Sequence, residues 1–564
     1  MYMPGLLPQR ALSRASKRYL EPGQGDRADP DSSRGIHMRL LVLASIASLA
    51  LACAPSGGVI GIPPDSADAG SGRDAGPASG VPTPEPAKTY TLTLDVRGPG
   101  AVRALPLTAE CRGTCKLTFD AGTRLSLRAV ADVIGAFGGW TGDCAGLGAC
   151  DKTVNRDLRV GAAFSVRQVM VSVQLAGDGE GRVTSEPPGI DCAGPADRCS
   201  ATFPMGTRLI LWSRAKLLST TRGFNISACT GRSCDVTTNL FVNLAVVAYF
   251  DTQRYSVVDL GTPDPLHYAE SLVISPNGRL GAGSLAGELI HHLFLWDGSF
   301  HEISSAGLAA AVNDLGTVSG NQWGPTAIAG KDAYRAFRWQ NGMFTLLDTL
   351  GGVQSFAHGI TAAGTIFGEA SRADGSGRAV YWVDRVPVDL GSLGDCSEAF
   401  AGNSHGIIVG SSCMPAQASG IPAVRFNAPG VIDVLGTLGG RYGSAMAINE
   451  SGVIVGWASV PSEDGHAFFH VDGRMVDLGT VSGTTATALY ALNDEGIAVG
   501  SAWNVDTRYY TGVVATSERL LDLRKLVPPG VEVTSASSID KDGDIAANAD
   551  IRGESRVVIL RPIP

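Results

Sequence analysis

Charge is scarce in this chain. Asp, Glu, Lys and Arg make up 18% of it, and acids outnumber bases for a formal net charge of −9. No basic cluster breaks that balance, which excludes the electrostatic footprint of a nucleic-acid binder. Catalytic signatures are scarce too: the Gly-x-Ser-x-Gly string Gly402–Gly406 is one of the repeat's Asn-x-x-Gly turns and not a strand-to-helix elbow, and there is no His-Glu-x-x-His pair and no phosphate-cradling loop. Beyond residue 53 the sequence has no apolar run approaching the ~20 residues that a membrane-spanning helix needs. Glycine is plentiful instead, with 72 residues in a sequence that is 44% hydrophobic. That is the make-up of a folded, turn-rich, all-β protein.

The C-terminal half is an array, and its unit is clearest in 431–480. Ser444–Ile448 and Val453–Trp457 flank the turn Asn449-Glu450-Ser451-Gly452; Ala467–Val471 and Met475–Leu478 flank Asp472-Gly473. Short apolar runs around Asn/Asp/Gly punctuation predict four strands joined by tight hairpins. The turn glycine sits where φ must be positive. The turn recurs at Gly278, Gly316, Gly364, Gly406, Gly452, Gly496 and Gly543, seven copies at steps of 38 to 48 residues. A closing Asp-x-Leu-Gly phrase recurs at Asp259, weakly at Glu302, then at Asp348, Asp389, Asp433, Asp477 and Asp522. The array opens on a closing strand and ends without one. It therefore reads as a seven-bladed β-propeller of four-stranded blades, closed by its N-terminal strand, which protects the open edges. An open β-solenoid is the alternative. The Gly452-Val453-Ile454-Val455-Gly456…His466-Ala467-Phe468…Asp477-Leu478-Gly479-Thr480 spelling resembles the HAF family of bacterial extracellular repeats, over about 255–564. The resemblance implies a secreted β-propeller and no particular activity.

At the other end, residues 1–37 are Arg-rich and aperiodic, an upstream overcall or a disordered leader. From Met38 the chain reads as a signal peptide over 38–52, ending in a lipobox at Leu51-Ala52-Cys53. Cys53 is the expected lipidation site, which anchors the protein to a bilayer, and the absence of Asp after it favours the outer membrane. The alternative is ordinary cleavage and free secretion. Residues 54–88, rich in Pro, Gly, Ala and Ser, make a flexible tether.

Two copies of one module come next, 89–166 and 168–251. Each opens on an alternating strand, carries two Cys pairs around a Gly-Thr-Arg-Leu phrase (Gly122–Leu125, Gly206–Leu209), and ends in Ala-x-Phe at Phe164 or Phe250. They resemble the divergent internalin-repeat modules of bacterial surface proteins. The first keeps Trp140; the second is expected to put Asn225 in its place. Setting Cys53 aside, ten of the eleven Cys remain, an even number in an exported chain. Local pairing gives Cys111–Cys115, Cys144–Cys150, Cys192–Cys199 and Cys229–Cys234, with crossing inside each module left open. A zinc set would need a closed tetrahedron in a reducing compartment. Cys396 precedes the first strand of blade four and Cys413 follows its second. Antiparallel topology brings both to one face, as a disulfide that contributes roughly 3 kcal/mol in the chain-entropy model.

No nucleophile set emerges, and the expectation is a protein that is not an enzyme. His291, His292 and His466 occupy the HAF position and read as structural; His358 and His405 lie in or near repeat turns and stand alone. Asp540, Asp542 and Asp544 alternate as calcium ligands do, but they fill the repeat's Asn-x-x-Gly turn, so a solvated turn is the preferred reading. No cofactor is expected. Tight turns take one face and long loops gather on the other. That face offers Trp323, Tyr334, Trp503, Arg508, Tyr509 and Tyr510 as candidate binding residues, aromatic and Arg being the residue types of binding hot spots. Trp457 reads as structural. The function expected is recognition or adhesion toward a protein or glycan partner. A propeller-type glycoside hydrolase or polysaccharide lyase drawing on Asp332, Asp374, Asp464 or Asp506 is one alternative; a structural envelope component is the other.

Overall fold

The computed structural model describes residues 87–564, apart from 228, 230, 239–242, 262–267, 287–290, 305–306, 326–331, 416–419 and 505. The upstream segment 1–37, the signal peptide 38–52, Cys53 and the tether as far as 86 lie outside the described residues. Among the described residues the fold is all-β, with no α-helix and one short 3-10 turn, Leu523–Lys525. No helix there is long and apolar enough to cross a membrane.

Each small module packs two four-stranded sheets around one core. In the first, Thr89–Arg97 lies between Thr114–Asp120 and Leu158–Val166, with Gly135–Gly142 beyond. Its period-2 pattern sends Leu92, Leu94 and Val96 inward. They meet Leu125, Leu127, Phe119 and Trp140. The second sheet is built on Gly100–Leu105 and Arg124–Ala131. The second module repeats this order from Gln168–Ala176 to Leu244–Thr252. All four Cys pairs are local: Cys111–Cys115, Cys144–Cys150, Cys192–Cys199 and Cys229–Cys234, with Cα atoms 4.6 to 6.0 Å apart.

Strand register corrects one expectation. Trp140 stands opposite Ala162 of the first module's last strand, and Phe224 stands opposite the matching Ala248 of the second. Phe224, not Asn225, therefore replaces Trp140. Both strands shift register just before a glycine of positive φ, at Gly138 ahead of Gly139 (127°) and at Arg222 ahead of Gly223 (115°), and the aromatic follows that glycine. Both aromatics are buried, so the second core keeps its aromatic plug in a smaller form.

From 255 onward the chain is a β-propeller-type array of antiparallel four-stranded meanders. Among the described residues there are seven such sheets, at 268–304, 308–346, 351–389, 397–436, 443–479, 486–522 and 531–562. The last has three strands of its own and takes its fourth from Tyr255–Asp259, which pairs antiparallel with Glu554–Pro562 from Tyr255↔Pro562 to Asp259↔Val558. Each sheet packs face to face on the next. Phe337 joins the first and second, Phe426 the third and fourth, Phe468 the fourth and fifth, and Val499 and Val514 the sixth and seventh. The seventh packs back on the first, where Ala546, Val557 and Ile559 meet Leu272, Ile274 and Phe294.

The recurrent turn proves to be a buried polar link. Asn313, Asn403, Asn449 and Asn493 each accept the N–H four residues on through Oδ1. Each then donates Nδ2 to a carbonyl in the next sheet's turn, for example Asn449 to Asn493 O at 3.2 Å and Asn493 to Asp540 O at 3.1 Å. A buried amide is tolerable because both of its ends are bonded. Between seventh and first sheets the link changes: Lys541 N donates to Pro276 O at 2.9 Å, and Ser537 Oγ donates to Leu272 O.

Candidate functional site

Antiparallel meanders put the first and third turns of every sheet on one face and the second on the other. Those second turns are unequal, ten residues in the fourth sheet (413–422) but four in the third (373–376) and two in the seventh (552–553), because much of the loop expected there is strand; the candidate aromatics lie beside them. Trp323 and Tyr334 stand opposite each other on the second sheet's central strands, rings 5.0 Å apart and edge to face. Tyr334 also lies 5.6 Å from Phe356 of the third sheet, while Trp323 remains 56% exposed. Trp503 and Tyr510 form the matching pair on the sixth sheet. Tyr509 is already engaged, since the Arg524 guanidinium lies 4.5 Å over its ring and is itself bonded to Asp522. Arg508, exposed at φ 52°, turns the hairpin. The six candidates thus form two clusters, with the third, fourth and fifth sheets between them along the chain. Trp457 is half-buried, with its ring over Gly465.

Histidine and aspartate at the repeat positions bond each other. His466 Nδ1 lies 3.0 Å from Asp477 Oδ1, which also accepts Gly479 N–H at 2.7 Å; His292 pairs with Glu302 at 2.8 Å. Arg425 and Arg372 play the histidine's part toward Asp433 and Asp389. The side chain of His291 lies outside the described residues. His405 does not stand alone, since it lies 3.4 Å from Glu450 of the next sheet.

Asp540 is the seventh sheet's version of the buried Asn. Its Oδ1 accepts from Asp542 N at 2.9 Å and Asp544 N at 2.8 Å, and burial raises its pKa. Asp542 pairs with Lys541, and Asp544 with Arg561. Asp540 thus forms the turn while Asp542 and Asp544 have ion-pair partners of their own, and among the described residues no three His, Cys, Asp or Glu converge as metal ligands. Two of the four loop acids serve their own hairpins. Asp374 is held low by the hydroxyl and N–H of Ser376, and Asp464 accepts from Ser462 at 2.8 Å. Cys396 and Cys413 are bonded, immediately outside the Ser397↔Ser412 pair.

One set of residues was invisible in the sequence. The first strands of successive sheets touch each other, forming the inner lining. Each shifts register, at Ala310, His358, Phe400, Met446, Tyr490 and Ser537 among other positions. His358 thus belongs to a strand and not to a turn. The residue as a whole is half-buried, but both ring nitrogens are shut from solvent without a partner, and the ring lies 4.8 Å from Phe400. Desolvation lowers its pKa to about 4. The only textual sign is that each follows an Ala or Leu of the inner strand, too weak a pattern to read.

No protein-family model and no curated protein matches the chain. Solved structures that resemble it include TolB from Acinetobacter baumannii, 14% identical with a TM-score of 0.28 over 48% of this chain and 59% of that one. A six-bladed fungal lectin from Aleuria aurantia is 10% identical, with a TM-score of 0.26 over 56% and 97% of the two chains. A Trypanosoma rangeli sialidase is 8% identical, with a TM-score of 0.28 over 55% and 57%. Likeness at this level carries nothing about activity. The fold assignment rests on the chain's own strand pairing.

Proposed function

We propose that this protein is a cell-envelope lipoprotein that displays a recognition surface. In this reading 268–562 is a seven-bladed propeller closed by Tyr255–Asp259, of the HAF-repeat kind. The internalin-like modules are its stalk, and a lipid on Cys53 holds it at the outer membrane. Closure is supported by the pairing of Tyr255–Asp259 with Glu554–Pro562 and by the packing of Leu272 on Ile559. Recognition is carried by one observation. Trp323 stays 56% exposed although strand pairing fixes its backbone and Tyr334 backs its ring. A rigid, exposed aromatic binds a partner with little loss of side-chain entropy.

The partner class is a protein or a glycan. A binding screen of the purified chain from residue 54 onward, against glycans and envelope polymers with and without calcium, tests the reading. Saturable binding lost in Trp323→Ala supports it. Progressive shortening of a bound polymer would replace it with catalysis.

A further inference from the structure

The two small modules use the corresponding turn to meet the next part of the chain, but with different side chains. In the first module the turn is Asp132-Val133-Ile134-Gly135, closed by Gly135 N to Asp132 O at 2.9 Å. In the second it is Lys216-Leu217-Leu218-Ser219, closed by Ser219 N to Lys216 O at 3.1 Å. The carbonyl of Ile134 accepts from Arg167, the single residue linking the modules. That of Leu218 accepts from Gln253, in the link between the second module and the array. There the likeness ends. Ile134 is 40% exposed and Leu218 is 4% exposed.

Leu218 is buried in the array, in one apolar cluster with Tyr255, Leu526, Val533 and Leu560. It holds φ at 59°, a conformation a leucine adopts only when its surroundings impose it. Around it, Lys216 Nζ lies 2.9 Å from Glu518, and Arg519 donates to Ser219 Oγ at 3.0 Å and faces Glu180 at 3.6 Å. The first module has Asp132, Gly135 and Pro99 at the places of Lys216, Ser219 and Glu180, with Pro99 O and Glu180 O accepting from the matching turn N–H. It therefore has none of these side-chain groups.

The docked turn touches the strand that completes the seventh sheet. Tyr255 opens that strand, and its N–H donates to Leu526 O at 2.9 Å. Gln253 Nε2 and the Arg254 carbonyl bond both sides of Ile563, at 2.7 and 2.8 Å. We infer that the turn Lys216–Ser219 is a latch: by docking on the sixth and seventh sheets it secures the pairing of Tyr255–Asp259 with the last strand. Without the latch the closing strand keeps five residue pairs and the Gln253 and Arg254 bonds to Ile563, and it is where tension from a tethered stalk enters the array. With the latch in place, that tension passes into the body of two sheets instead of peeling one strand edge.

Hydrogen exchange on the purified chain from residue 54 onward tests this. In Leu218→Ala, amides of 255–259 and 556–562 exchange faster by about tenfold or more. Those of 443–479 do not change, and Ile134→Ala leaves both regions as they were. Lys216→Glu, which keeps the apolar contact, gives the same pattern at smaller size and serves if Leu218→Ala does not fold. Unchanged exchange at 255–259 in the folded variants, or equal acceleration in 443–479, overturns the latch.

Discussion

In each small module two sheets enclose one apolar core, and two disulfides staple the strand ends. In the array every sheet has a neighbour on both faces, and a single disulfide, Cys396–Cys413, serves all seven. A module of about 80 residues has a small core whose net stability is a few kcal/mol, so each cross-link is a large share of it. The array gains its security by repetition, each interface being a core in its own right. Covalent help is thus concentrated where a core has only one inside.

Reduction should break this contrast open most strongly. In the chain-entropy model each module disulfide contributes about 2 kcal/mol and the longer Cys396–Cys413 loop about 3 kcal/mol. Divided by the material each supports, the modules lose far more. Calorimetry with a phosphine reductant is expected to move or abolish the module transition while the array's shifts by a few degrees. Equal shifts would mean that the array, too, depends on its cross-link.

A narrower contrast separates the two modules. Trp140 fills the first core and donates Nε1–H to Gly148 O at 2.7 Å; Phe224 fills the second with no polar bond of its side chain to lose. Trp140→Ala is expected to cost about 3–5 kcal/mol, and Phe224→Ala somewhat less, as read by urea denaturation. Trp140→Phe, which imitates the second module, should recover most of that loss. If Asn225→Ala cost more than Phe224→Ala, the register equivalence of Phe224 and Trp140 would be wrong.

Acid should loosen the array alone. The modules contain no histidine between residues 87 and 252, whereas His358 is neutral in the fold with a pKa near 4, against 6.5 when free. Below pH 6.5 the unfolded chain binds the extra proton, so stability is lost as pH falls from 6.5 toward 4. The loss is at most about 3 kcal/mol. Burial raises Asp540 and Asp544, which act in the opposite sense. The difference between wild type and His358→Leu therefore isolates the histidine. Module carboxylates held low, such as Asp143 by Arg159 N–H and Arg156, lose stability only as pH falls below the usual carboxylate range. Identical pH profiles for the wild type and His358→Leu would remove His358 as the cause.

Much of the fold could be read from spacing. The Asn-x-x-Gly turn, the Asp-x-Leu-Gly phrase and the Cys pairs four to seven residues apart are local features. A tight turn or a short loop leaves the chain few geometries. The candidate face was less legible. Trp323 and Trp503 share a face but belong to distant sheets, and spacing along a repeat says nothing of distance around it.

The period and the strand count of each unit were written in the order of residues, because those depend on contacts a few positions apart; the cysteine spacing favoured local pairs but left crossing inside each module open until the structure paired them. Three other features came only from the way distant segments pack. Pairing across the last strand, Phe224 with Ala248 as Trp140 with Ala162, put Phe224 in Trp140's place. A shift in the inner strand brought His358 against Phe400. Packing of sheets far apart in sequence buried Leu218 while leaving Ile134 exposed. Each depends on which surfaces meet, and a bulge or a buried contact is stabilised by neighbours that its own stretch of sequence does not contain.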